Sequence, residues 1–182
     1  MNQGLIPSRY AKALFEYASE HNADKSVFGL METLAASFQA QPALLKATEN
    51  PFVPAADKVA LLLTAAGAGA GESEVYRRFL DLLVSNRRLD AARDIALAYL
   101  KLYRQRHDIR LVTVSSAAPL DPAEEKRLKD LIARHLGSAT MDFRSRVNPD
   151  LIGGSTIDID NEKLDASVAG ELKQLRLSLL SK

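Results

Sequence analysis

The stretch YLKLYRQRHDIRLVTV, residues 99–114, holds the change of pattern that decides the fold. Up to Tyr103 the apolar residues keep helical spacing, with Ile95, Tyr99, Leu100, Leu102 and Tyr103 on one wide face. Polar residues occupy Arg104 to Asp108. Beyond them Ile109, Leu111 and Thr113 alternate with Arg110, Val112 and Val114. β-Branched residues at both parities predict a strand buried on both faces. An all-helical part therefore ends near Arg104–Asp108, and an α/β part begins there.

Upstream, the spacing predicts a first helix capped by Ser8 and running to about Glu20. A second runs from Asp24 to about Ala40, with Val27, Met31, Leu34 and Phe38 in helical register. Pro42 opens a short third helix through Leu44 and Leu45. Asn50-Pro51 and Pro54 break the chain before a fourth from Ala55 to Ala66. A fifth covers Glu72 to Ser85, and a sixth runs from Arg88 to about Gln105. Helices this short, with short connections, pack as neighbours in a bundle.

Downstream, Asp121-Pro122-Ala123-Glu124 is a strong helix start: an N-cap, a proline at the first position and a glutamate at the third. That helix ends at Gly137. Met141, Phe143, Ser145 and Val147 alternate with Asp142, Arg144 and Arg146, which predicts a half-exposed strand. Gly153-Gly154 marks a turn or bulge. Ile157 and Ile159 alternate with Asp158 and Asp160 in another strand, followed by a turn at Asn161-Glu162. Asp165 is placed to cap a last helix with Val168, Leu172, Leu175 and Leu179 on one face. The fold class is α+β multidomain: an N-terminal six-helix bundle over residues 1–105, followed by a small C-terminal β-α-β-β-α module over residues 106–182.

Charge and composition narrow the function. The chain has 24 Lys and Arg against 23 Asp and Glu, and both halves are balanced: 12 basic and 11 acidic residues in 1–105, 12 and 12 in 106–182. Neither half carries the excess that draws in nucleic acid or an anionic membrane by field alone. With no cysteine there is no disulfide, thiolate metal site or cysteine nucleophile. Met1 to Pro7 lacks the pattern of a signal or transit peptide. The apolar run Val59 to Ala66 is too short to span a bilayer. The expectation is a soluble protein with no direct membrane insertion, reaching any membrane through a partner.

A search for chemistry finds little. His21, His107 and His135 have no partner at metal-ligand spacing, so no metal site is predicted. The run Ala65 to Gly71 is followed by Glu72 and Ser73 rather than Gly-Lys-Ser/Thr, and Glu72 stands where a dinucleotide fingerprint needs glycine. It reads as an interhelical loop, and no cofactor is predicted. Asp158 and Asp160 share a strand face without a third ligand and read as solvated carboxylates. The basic pairs Arg77-Arg78 and Arg87-Arg88 lie among Asp81, Asp90 and Asp94, which predicts a salt-bridged surface. No nucleophile elbow or Ser-His-Asp arrangement is evident, and no catalytic residue is assigned.

What does stand out is apolar width. In the first helix Tyr10, Leu14 and Tyr17 form one stripe, and Ala11, Phe15 and Ala18 a second beside it, with Ala13 on the near side. The arc covers roughly 200°, against the ~100° a surface helix needs. The fifth helix is similar, with Val75, Tyr76, Phe79, Leu80, Leu82, Leu83 and Val84 opposite Arg77, Arg78, Asp81 and Ser85. Such a helix either sits centrally in its bundle or exposes a strip that takes an amphipathic helix from a partner.

These residues resemble the delta subunit family of the rotary F-type ATP synthases, whose mitochondrial relative is the oligomycin-sensitivity-conferring protein. The resemblance runs through Arg9-Tyr10-Ala11-Lys12-Ala13-Leu14-Phe15, Asn50-Pro51, Lys58, Phe79-Leu80, Leu82-Leu83, Asn86-Arg87-Arg88-Leu89, Ile95 and Tyr99. It continues through Val114-Ser115-Ser116-Ala117-Ala118-Pro119-Leu120 and, most specifically, Val147-Asn148-Pro149-Asp150-Leu151-Ile152-Gly153-Gly154, then Asp165-Ala166-Ser167-Val168. Ser155 and Ala166 depart from the family pattern locally. The resemblance implies a non-catalytic stator connector, present in a single copy per complex, that ties the catalytic head to the peripheral stalk. It implies that the bundle receives the N-terminal helix of an alpha subunit between its first and fifth helices, on Tyr10, Ala13, Leu14, Tyr17, Phe79, Leu82, Leu83 and Asn86. The C-terminal module is implied to bind the b subunits, at the cytoplasmic face of a bacterial inner membrane. The rival reading is a nucleic-acid-binding or other helical adaptor using the basic pairs at Arg77 and Arg87.

Overall fold

A computed structural model describes residues 4–67, 69–137, 139–160 and 162–180, leaving aside the side chains of 174, 175 and 178–180. The chain divides into two compact units, Met1–Tyr103 and Arg104–Lys182.

The first unit is helical: α1 (Leu5–Glu20), α2 (Asp24–Ala40), α3 (Pro42–Glu49), α4 (Ala55–Ala66), α5 (Glu74–Ser85) and α6 (Ala92–Arg106), whose last residues belong to the second unit. α1 starts three residues before the predicted cap. Pro7 fits its first turn because no amide partner exists there to lose, and the Ser8 hydroxyl donates back to the Gly4 carbonyl at 2.7 Å instead of capping. α5 starts two residues later than predicted, because Ser73 accepts from the Tyr76 amide and is its N-cap. A 3-10 turn, Leu89–Ala91, precedes α6 where a continuous helix from Arg88 was predicted.

The core of this unit is made by Val27, Met31 and Leu34 of α2, Leu62 of α4, Tyr76, Leu80 and Leu83 of α5, and Ile95 and Tyr99 of α6. Two tyrosine hydroxyls enter it and both are satisfied, as buried polar groups require. Tyr76 donates to the Leu62 carbonyl at 3.3 Å and Tyr99 to the Asp24 carbonyl at 3.1 Å. Burial pushes the pKa of both well above the ordinary value, so they stay neutral donors.

The second unit contains β1 (Ile109–Ser116), α7 (Pro122–Leu136), β2 (Thr140–Val147), β3 (Gly154–Ile159), β4 (Glu162–Ser167) and α8 (Val168–Leu180). The sheet order is β2-β1-β3-β4. β1 and β2 are parallel, joined through α7; β1 with β3 and β3 with β4 are antiparallel. β1 is central, as its two apolar parities require. Val112 pairs with Phe143 and Ile159, and Val114 with Ile157, building a small core with Ile132, Leu128 and Leu136 of α7. The Glu124 carboxylate accepts from the Asp121 amide at the start of α7, and Gly137 ends that helix at φ +67.

Two sequence readings are corrected here. The module has four strands rather than three, because Glu162 to Ser167 pairs along β3. And Asp165 does not cap the last helix. It lies in β4, and its carboxylate accepts from the Ser167 amide and hydroxyl; the Ser167 oxygen in turn accepts from the Gly170 amide, which makes Ser167 the cap of α8. Those bonds hold the Asp165 carboxyl below the usual carboxylate range. Of the other readings in this region, Asn161 and the side chains of Leu175 and Leu179 lie outside the described residues.

Gly154 opens β3 at φ +71, and a Cβ there would collide with the Ala166 carbonyl oxygen across the β3–β4 ladder. Gly154→Ala combines left-handed strain with a backbone clash, and each is worth about 1 kcal/mol or more. Amide hydrogen exchange should show β3 and β4 opening at least tenfold more often, while α2 and α5 exchange as in the parent.

Candidate helix-docking site

α1 buries Pro7, Ala11, Leu14 and Ala18 in one stripe. One step round the helix, Tyr10 and Tyr17 are half-buried and Ala13 is exposed. α5 buries Val75, Tyr76, Phe79, Leu80 and Leu83. Beside them Leu82 remains 43% exposed, and Asn86, the residue after the last turn, is exposed. The two helices pack on each other.

The eight residues assigned from the sequence therefore divide. Leu14, Phe79 and Leu83, at 4%, 5% and 0% exposure, are core side chains with no surface to offer. Tyr10, Ala13 and Tyr17 on α1, with Leu82 and Asn86 on α5, keep solvent contact. A helical wheel gives angles but not the position of the neighbouring helix, so it could not make this division.

Arg78 was missed. Its guanidinium crosses from α5 to α1, Nη1 donating to the Tyr17 hydroxyl at 2.8 Å and Nη2 to Glu74 Oε1 at 2.6 Å. Tyr17 and Glu74 both favour its charged form and raise its pKa further above the ordinary arginine value. The Tyr17 ring also lies against His21, 4.3 Å between centroids, and His21 Nδ1 meets the Tyr17 carbonyl at 2.8 Å. The sequence did carry a signal: Glu74 and Arg78 stand at the i, i+4 spacing of a helical ion pair.

Of the paired carboxylates, Asp160 is engaged elsewhere. Asp160 lies beyond the end of β3 and pairs with Arg110 at 3.1 Å, also accepting from the Leu111 amide, so it does not form a cation site with Asp158. Among the described residues no group of three or more His, Cys, Asp or Glu side chains is placed to hold a metal ion, and no helix is long and apolar enough to cross a membrane.

The fold agrees with what the chain is similar to. Residues 6–179 match the family model described as ATP synthase delta (OSCP) subunit. A relative from Parabacteroides distasonis, named ATP synthase subunit delta, is 39% identical over 180 residues, covering 99% of this chain and 98% of that protein. One of the same name from Bacteroides thetaiotaomicron is 36% identical over 182 residues, covering 100% and 97%. A chain in the cryo-EM structure of the Toxoplasma gondii mitochondrial ATP synthase hexamer superposes with a TM-score of 0.73 over 96% of this chain and 97% of that one; at 21% identity this shows the shared fold. The chain is thus a structural, non-catalytic subunit of a rotary ATP synthase. It belongs to the ATP synthase delta (OSCP) subunit family and is the stator connector of the F-type enzyme.

The division into core and surface has a direct consequence. Leu14→Ala and Leu83→Ala should each destabilise the first unit by about 2–5 kcal/mol. Ala13→Asp and Asn86→Ala should stay within about 1 kcal/mol. Urea titrations followed by far-ultraviolet circular dichroism check both pairs.

Proposed function

We propose that the first unit, together with the rest of residues 1–105, holds the N-terminal helix of one alpha subunit along the seam between α1 and α5. The observation that carries this is the surface left open there: Tyr10, Ala13, Tyr17 and Leu82 stand beside the buried Leu14, Phe79 and Leu83. An amphipathic helix laid on that seam completes the burial with apolar residues at i, i+3, i+4 and i+7. The second module, residues 106–182, engages the b subunits of the peripheral stalk. Val168 and Leu172 support this: they sit one turn apart on α8 and are 41% and 53% exposed. One copy per complex then links head to stalk at the cytoplasmic face of the bacterial inner membrane, peripheral through its partners. The link is mechanical. It resists the torque that the rotor puts on the head, so that the torque does work at the catalytic sites.

Calorimetric titration of the full chain with a synthetic peptide of the cognate alpha subunit's N-terminus is the test. Saturable one-to-one binding is expected, weakened at least tenfold by Ala13→Asp with the helical circular dichroism unchanged. Equal binding by parent and Ala13→Asp moves the contact off this seam. Leu172→Asp should leave the peptide affinity alone and reduce retention of the b subunits on the purified complex.

A further inference from the structure

Arg78 is held in a way that a solvated surface arginine is not. Most exposed arginines are mobile, and ordering one to meet a ligand has an entropic cost. Here the guanidinium is fixed at two points on two helices, by the Tyr17 hydroxyl of α1 and the Glu74 carboxylate of α5. Its side chain is nevertheless 61% exposed, and it lies one turn before Leu82 on the flank of α5 that faces the open seam. A guanidinium presents more N–H donors than these two contacts use, and its plane matches a carboxylate. Arginine held in place is the preferred partner for a carboxylate at an interface, because the geometry is set before the ligand arrives.

We propose that Arg78 is a specificity-determining residue of the α1–α5 seam. It receives a carboxylate of the docked helix and fixes where along the seam that helix stops. The inference rests on the seam being the docking surface, and it names the partner's chemistry: an amphipathic helix with an Asp or Glu beside its apolar stripe, at the level of Arg78. The apolar stripe alone lets a helix slide by a turn, since Tyr10, Ala13 and Tyr17 recur at helical spacing. One charged contact beside the stripe removes that freedom.

The experiment is a charge exchange on the full chain, read by calorimetry. The ligands are the peptide of the cognate alpha subunit's N-terminus and a panel in which each acidic residue is changed to Lys in turn. Arg78→Glu is expected to weaken the natural peptide about tenfold, with helical circular dichroism retained. One Lys-substituted peptide is expected to bind Arg78→Glu more tightly than the natural peptide does, and the parent chain less tightly. Rescue of this kind cannot come from a merely structural effect of Arg78 on the bundle. The proposal is overturned if Arg78→Glu binds the natural peptide like the parent, or if it loses affinity and no peptide in the panel restores it. Either result leaves the seam itself standing as long as Ala13→Asp still weakens binding. If the parent chain binds no peptide, the docking reading fails and this inference goes with it.

Discussion

The first unit is shaped by an excess of apolar surface on two of its helices. α1 and α5 each carry an apolar arc wider than one neighbouring helix can cover. The bundle resolves this by burying the middle of each arc and leaving one edge open. On α1 the buried middle is Pro7, Ala11, Leu14 and Ala18, and the open edge is Tyr10, Ala13 and Tyr17. On α5 the middle is Val75, Phe79 and Leu83, and the edge is Leu82. The hydrophobic effect favours covering that edge too, which is the physical basis for proposing it as the docking surface. Arg78 stands at its margin, bonded to Tyr17 and Glu74, and in the proposed docking it would add the directional contact that apolar packing lacks.

The second unit meets a different demand. A sheet this small needs a fully paired central strand, and β1 provides it, with β2 on one side and β3 on the other. Val112 and Val114 then hold the sheet against α7. The outer strand β4 adds backbone pairing and places Ser167 where it caps α8, so the hairpin and the last helix are joined through a short hydrogen-bond chain from Asp165 to Gly170. Gly154 is what lets the hairpin close without a clash.

Much of this was legible in the sequence, and the failures have physical causes. The change from period 3.6 to period 2 after Tyr103 gave the α-to-β transition, and Asp121-Pro122-Ala123-Glu124 gave the start of α7. β4 was hard to see because Glu162-Lys163-Leu164-Asp165-Ala166 has no β-branched residue and its alternation is short, only Leu164 and Ala166 against Lys163 and Asp165. It is a strand because β3 offers a free edge, and that is a tertiary fact. Ser8 has the residue type of a cap, but the helix begins before it, because Pro7 is compatible with a first turn. On the two helices singled out by their apolar width, periodicity could not separate Leu14 and Leu83, which are core, from Ala13 and Leu82, which are exposed. Arg78 escaped because a wheel assigns a long side chain to the angle of its Cα, whereas its charged end reaches a neighbouring helix.

The natural chain has no cysteine, so a single one can be placed and read without background. The most direct test of the central claim is the reaction rate of Ala13→Cys with a water-soluble maleimide, in the free subunit and in the assembled ATP synthase. Ala13 is exposed on the open edge of α1, so the free subunit should react quickly. If the seam holds a helix of the head, assembly should slow the reaction at least tenfold, while a cysteine at Lys101, exposed on α6, marks the rate of an uncovered site. Equal rates at Ala13→Cys before and after assembly would contradict the account, because the surface on which it rests would then be open in the working enzyme.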